Sequence, residues 1–157
     1  MSRTWPADWD DRRAGKDCAM CAQGRPEETP HGVRILAAEW CDAYLQREAA
    51  LPGYAIVIWR GRHVAEPTEL SADEAAGYWS EVLRVGRALE AHYRPAKVNY
   101  QMLGNSLPHL HAHIVLRYLD DPAPGRPLDP AAGLRLVPED ELAKDVAALR
   151  RSLATPD

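Results

Sequence analysis

Pro108-His109-Leu110-His111-Ala112-His113-Ile114-Val115 is the stretch on which the fold of this chain is decided. Side chains of an extended strand alternate between two faces. His109, His111 and His113 therefore share one face, while Leu110, Ala112 and Ile114 turn the other way into a core. A lone strand histidine is ordinarily structural. Three at a spacing of two gain nothing for packing, and crowded imidazoles place perturbed protonation where chemistry uses it. Two chemistries suit such an array. In one, His111 attacks phosphorus through one ring nitrogen while a hydrogen bond holds the other, and His113 neutralises or protonates the departing oxygen. In the other, two or three of the histidines bind a metal such as zinc. Spacing alone leaves both open.

Outward from this strand, Val98 to Leu103 and Leu110 to Tyr118 read as a hairpin whose connection carries Gly104, Asn105, Ser106 and Pro108. Upstream, Ser71-Ala72-Asp73-Glu74 has the form of a capping box, and apolar residues at helical spacing behind it predict a helix from Ala72 to His92, ended by Pro95. His92 suits the carbonyl end of that helix. Tyr54 to Trp59 is a β-branched and aromatic run between the Pro52-Gly53 turn and Gly61, and it predicts a central strand. Val33 to Leu36 and Trp40 to Leu45 read as shorter strands after a loop from Gly24 to Gly32. Asp120 to Pro130 reads as loop or dimer arm. Pro138 to Leu153 predicts a closing helix that presents Leu142, Val146, Leu149 and Leu153 on one face. Strands grouped around one long helix, without an internal repeat, indicate an α+β fold rather than βαβ units.

The 157 residues, 46% of them hydrophobic, suit one domain, with residues 1–16 as an N-terminal segment and 17–157 as the folded unit. A formal charge of -4 with scattered Lys and Arg disfavours nucleic acid as a partner. Met1 to Lys16 holds no apolar run long enough for a signal peptide or a membrane span, so a cytoplasmic protein is expected. Three cysteines do not make a disulfide framework. Cys18 and Cys21 form a CxxC pair able to converge on a metal or to act in redox exchange, whereas Cys41 reads as a small buried hydrophobe.

The His-x-His-x-His motif with apolar residues between resembles that of the histidine-triad (HIT) superfamily of nucleotide hydrolases and transferases. The similarity runs from about Cys18 to Tyr118, taking in the CxxC pair, Pro52-Gly53, Arg60-Gly61-Arg62-His63, the long helix and Gly104-Asn105-Ser106. The resemblance implies an antiparallel sheet of about five strands with two main helices, assembled as a homodimer. It also implies attack by the middle histidine on the α-phosphate of a nucleotide or dinucleotide, followed by hydrolysis of the nucleotidyl-histidine. On this chain His111 matches the nucleophile, His113 the leaving-group contact, Ser106 a phosphate-touching hydroxyl, and Asn105 a position where glutamine often stands. Bacterial members that hold zinc do so with residues matching Cys18, Cys21, His63 and His109, and two thiolates with two imidazoles make a closed structural site. Zinc on His109 leaves His111 free to react.

The chain also departs from the pattern. Gln46 stands where Asp or Asn commonly meets the ribose hydroxyls, Tyr54 stands where many members have a histidine, and the loop before the triad is short. His113, where another branch has glutamine, favours water as the final acceptor. Tyr100, Gln101 and His31 read as sheet surface or loop. The expected activity is hydrolysis of dinucleoside polyphosphates or nucleoside phosphoramidates. A nucleotide-binding or scaffolding protein with weak turnover is the alternative, and a histidine-bound catalytic metal is a third possibility.

Overall fold

Ser71 starts a helix in the way its sequence specifies. Its hydroxyl accepts from the Glu74 amide and the Glu74 carboxylate accepts from the Ser71 amide, which satisfies two donors that an uncapped helix would leave free. In the computed structural model, which describes residues 4–155, the chain forms α1 (Trp9–Arg13), α2 (Ala19–Gln23), β1 (Gly32–Ala37), β2 (Cys41–Gln46), β3 (Glu48–Ala49) and β4 (Ala55–Trp59). It continues through a 3-10 turn (Pro67–Glu69), α3 (Ala72–Tyr93), β5 (Lys97–Gln101), β6 (His111–Arg117), β7 (Arg135–Leu136) and α4 (Glu139–Ala154).

The five longer strands make one antiparallel sheet in the order β1-β2-β4-β6-β5. The apolar run at Ala55–Trp59 occupies the middle of it, as its β-branched composition predicts. This is the expected α+β architecture, with α3 and α4 as its two main helices. Strand ends move by a residue or so from the sequence reading, and the β5–β6 connection spans residues 102–110.

One face of the sheet carries Cys41, Ala43, Leu45, Ala55, Val57, Trp59, Ala112, Ile114 and Leu116, all buried in the core with Tyr78, Val82, Val85 and Leu89 of α3. Each fully buried aliphatic side chain of this kind contributes about 1.5–3 kcal/mol. The Tyr78 hydroxyl donates to the Val57 carbonyl at 2.9 Å, so this polar atom thrust into the layer is satisfied. Helix α4 packs on α3 and β1 through the predicted stripe of Leu142, Val146, Leu149 and Leu153. The Pro52-Gly53 turn is sterically committed. Gly53 has φ +84°, and a Cβ there would lie 2.5 Å from Leu116 and 2.8 Å from Tyr93. His92, expected only to favour a helix end, reaches across to Asp145 of α4 at 2.8 Å.

Four elements were not foreseen, besides the 3-10 turn. Helices α1 and α2 are one turn or so each, too short to show a hydrophobic period, and the two-residue strands β3 and β7 pair with one another outside the main sheet. No helix among the described residues is long and apolar enough to cross a membrane.

Candidate functional site

The second face of the sheet is set by register. Ile56 pairs with His113 and Ile58 with His111 across β4 and β6, while Tyr44 pairs with Ile56 and Asp42 with Ile58 across β2 and β4. These side chains, with Tyr54 and Gln46, alternate against the core residues and look away from the helices. The ladder between β4 and β6 ends at the Ile58–His111 pair. His109 lies beyond it and does not line up with the other two, contrary to the simple alternation of the motif.

Instead His109 meets the CxxC pair. Its Nδ1 lies 3.5 Å from the Sγ atoms of both Cys18 and Cys21, and His63 Nδ1 lies 3.5 Å from Cys21 Sγ. All four donor atoms fall within 4.8 Å of one another. Zinc bonds of about 2.3 Å to sulfur and about 2.0 Å to nitrogen in a tetrahedron set sulfur–nitrogen edges of about 3.5 Å, so the cluster has the dimensions of a zinc site. Both imidazoles are prepared for it. His109 Nε2–H donates to the Trp59 carbonyl at 2.9 Å and His63 Nε2–H to the Arg13 carbonyl at 3.1 Å, which turns each Nδ1 lone pair toward the thiols. Burial, followed by the neighbouring Cys18, pushes the Cys21 thiol up to about 11, and a bound cation is what draws such protons off. Burial likewise holds His109 down at about 4, keeping it neutral as a ligand must be. The donor set fits zinc.

Local backbone delivers these ligands. Cys18 is the N-cap of α2, which places Cys21 one turn on. Gly15, at φ +90°, lets the segment before it lie against the imidazole that a Cβ would strike at 2.7 Å, that of His63. Fully buried Asp42 then takes hydrogen bonds from Arg25 and from Arg60 Nε (2.6 Å), and Arg60 Nη1 donates to the Met20 carbonyl at 3.1 Å, tying α2 to the end of β4.

His111 and His113 form a separate unit. His111 Nδ1–H donates to the His109 carbonyl at 2.5 Å, so Nε2 carries the lone pair. That Nε2 lies 3.1 Å from His113 Nε2, which must therefore be the protonated one, and His113 Nδ1 accepts from the Tyr54 hydroxyl at 2.7 Å. Each tautomer follows from the one before it. Burial lowers the pKa of His111, and burial together with nearby His111 lowers that of His113 to about 4. Burial raises the Tyr54 phenol, so it remains a donor throughout the working range. The pair is neutral at pH 7, with the His111 Nε2 lone pair held by the His113 Nε2–H.

Beside it lies a cleft of about 260 Å³ floored by Tyr54, Ile56 and Ile58 and edged by Tyr44, Gln46, Glu48 and His31. Gln46 is thus at a ligand-sized hollow, its amide donating to the Tyr44 carbonyl at 3.1 Å so that its oxygen stays available. Asn105 and Ser106 are exposed in the loop ahead of the triad and do not line this cleft. Tyr54 as the partner of His113 was invisible in sequence because the two are 59 residues apart, and Glu48 because β3 is only two residues long.

Residues 28–119 match the sequence profile of the HIT domain. No curated protein matches the chain by sequence. Among solved structures, the chain is similar to a histidine triad protein from Bradyrhizobium japonicum, with 25% identity and a TM-score of 0.69 over 82% of this chain and 99% of that one. A histidine triad protein from Marinobacter aquaeolei VT8 gives 24% identity and a TM-score of 0.71, covering 79% of this chain and 90% of that one. A zinc-bound histidine triad family protein from Mycobacterium smegmatis gives 22% and 0.58, covering 87% and 91%.

Proposed function

The chain belongs to the HIT-domain family, and on that premise we propose that it is a nucleotide hydrolase acting through a nucleotidyl-histidine intermediate on His111. The observation that carries this reading is the sequence of hydrogen bonds from Tyr54 through His113 and His111 to the His109 carbonyl, which leaves the His111 Nε2 unprotonated, its lone pair held by the His113 Nε2–H beside the cleft. Its lone pair attacks the α-phosphorus of a dinucleoside polyphosphate or a nucleoside phosphoramidate. The bond from phosphorus to the leaving oxygen or nitrogen breaks as the new P–N bond forms. Nδ1–H stays on the ring, where the His109 carbonyl stabilises the positive charge that the adduct acquires. His113 Nε2–H, released from His111 by the incoming phosphate, hydrogen-bonds the departing atom and stabilises its developing charge, and the proton that atom finally carries comes from solvent. Water then attacks phosphorus and yields a proton to solvent, the electron pair of the P–N bond returns to Nε2, and a nucleoside monophosphate leaves. Gln46 contributes an acceptor at the cleft edge, and Asn105 and Ser106 meet the phosphates as the loop ahead of the triad closes on ligand.

Zinc held by Cys18, Cys21, His63 and His109 has a structural part in this reading, contributing on the order of 10 kcal/mol to folding and fixing the carbonyl that orients His111. Partners are a nucleotide or dinucleotide and a second copy of the chain, in a cytoplasmic homodimer whose working unit is 17–157.

The test is intact-protein mass spectrometry after brief mixing with diadenosine polyphosphate or adenosine phosphoramidate. Wild type gains an acid-labile nucleotidyl mass, whereas His111→Ala gains none and loses turnover with its zinc content unchanged. Hydrolysis by His111→Ala near the wild-type rate would sink the mechanism. Tight nucleotide binding without adduct or turnover in wild type would leave a binding protein.

A further inference from the structure

Two of the four zinc donors are thiols, and they do not meet solvent alike. Cys21 is exposed and Cys18 is buried, with both Sγ atoms 3.5 Å from one nitrogen, His109 Nδ1. The donor atoms of the cluster all lie within 4.8 Å of one another, so side-chain rotation is what separates the two sulfurs from a bond of about 2.05 Å. Cys18 caps α2 and Cys21 follows one turn on, the CxxC spacing at which thiols also exchange. Cys41 is fully buried on the core face of the sheet and takes no part. His109 carries the consequence. Its ring belongs to the donor set, while its backbone carbonyl accepts His111 Nδ1–H at 2.5 Å, so one residue joins the metal site to the triad. Helices α1 and α2 bury no residue, and the segment that bears both thiols is otherwise held to the sheet by the Arg25 and Arg60 contacts.

We propose that Cys18 and Cys21 are a redox switch on His111: a peroxide converts the pair to a disulfide, zinc is lost, and the His109 carbonyl ceases to hold the His111 ring. The exposed Cys21 thiolate attacks one oxygen of hydrogen peroxide, the O–O bond breaks, and hydroxide leaves, giving a sulfenic acid. The Cys18 thiolate then attacks that sulfur, the S–O bond breaks, and a second hydroxide leaves. The two sulfurs have given two electrons to the peroxide, and solvent protonates both hydroxides. A disulfide offers no thiolate. Only the imidazoles of His63 and His109 then remain as donors, too few for a closed tetrahedral site. A dithiol reductant returns both thiolates, and added zinc refills the site. The chemistry at sulfur and the release of His111 stand independently of the nucleotide reading above, and the effect on turnover rests on it.

The experiment treats the full zinc-loaded chain with hydrogen peroxide and follows released zinc with a colorimetric chelator, the thiols by intact mass, His111 by nitrogen-15 spectra, and adduct formation with diadenosine polyphosphate. One zinc appears for each chain that loses the mass of two hydrogen atoms, and fragmentation places the new bond between Cys18 and Cys21. The His111 spectrum passes from one tautomer to a mixture, and adduct formation falls roughly tenfold or more, the scale on which contacts that orient the groups of a site act. Dithiothreitol with added zinc restores all four readouts, and Cys41→Ala responds as wild type does. Zinc retained at peroxide levels that oxidise free cysteine overturns the switch, as does zinc lost with sulfinic acid on Cys21 in place of a disulfide. An unchanged His111 spectrum in the disulfide form overturns it equally. If the reduced, zinc-loaded chain forms no adduct, the nucleotide reading falls, while zinc release, the disulfide and the His111 spectrum still decide the switch.

Discussion

At the scale of single residues, the chain replaces a histidine common in its family with Tyr54, and the geometry shows what the exchange preserves. A phenol donates to His113 Nδ1 and so imposes the Nε2–H tautomer on that ring. Because burial raises the phenol, it keeps its proton where an imidazole in that place would titrate. Tyr54→Phe removes the donor and keeps the ring, whose plane lies 8° from that of His113. The expected result is a fall in kcat of about 10- to 100-fold with KM nearly unchanged. Nitrogen-15 spectra of His113 should show mixed tautomers, and Tyr54→His should restore part of the rate. An unchanged His113 spectrum in Tyr54→Phe would remove Tyr54 from this role. The pairing of His111 with His113 was legible in the sequence, because two-residue alternation is a property of any strand. The separate destination of His109 was legible through the family resemblance, which assigns it to zinc with Cys18, Cys21 and His63, but not from strand alternation alone, since it depends on where the ladder with β4 stops.

At the scale of elements, the strongest sequence signals were those with many residues behind them. The capping box and the apolar stripe of α3 gave its start to the residue, and the apolar run of β4 gave the sheet its centre. The CxxC pair named two ligands, but its helix α2 is five residues long and carries no periodic signal. The segment bearing α1 and α2 has no buried residue in either helix, so little apolar burial fastens it to the sheet. The four zinc ligands and the Arg25–Asp42–Arg60 contacts do that instead. Metal removal should therefore act on this segment first. Chelation is expected to lower Tm by roughly 10 °C or more and to open Arg13, Lys16 and Arg25 to trypsin while α3 and the core strands stay protected. Cys18→Ser should reproduce the pattern without a chelator. Uniform cleavage throughout the chain on chelation would show that the segment is not a separately fastened unit.

At the scale of the whole molecule, the sheet has two edges that are treated differently. Alongside β1, Glu28 bridges to Val33, the Arg34 amide donates to the Glu27 carbonyl, and Arg150 donates to the Arg34 carbonyl, so that edge is partly covered. Among the described residues, strand β5 pairs on one side only, with β6. Near it, Tyr100, 37% exposed, lies over α3 with its hydroxyl where a Cβ on Gly86 would be, and Leu83, one turn earlier on α3, is 42% exposed. An open antiparallel edge bordered by exposed apolar side chains invites another strand, and a second copy of β5 supplies one with every residue duplicated about a two-fold axis. The wild-type chain should sediment with twice the mass of one chain at micromolar concentration. Leu83→Glu places like charges face to face across that axis and should halve the mass, with the near-ultraviolet signal of the folded core retained. Turnover of the single chain then decides how the site is built. Because Tyr54, His111, His113 and the residues lining the cleft all come from one chain, the monomeric variant should keep adduct formation on His111 within about a few-fold of wild type, with any loss appearing in KM. A wild type that sediments as one chain would refute the edge argument, and a monomeric variant without adduct would mean that the partner completes the site.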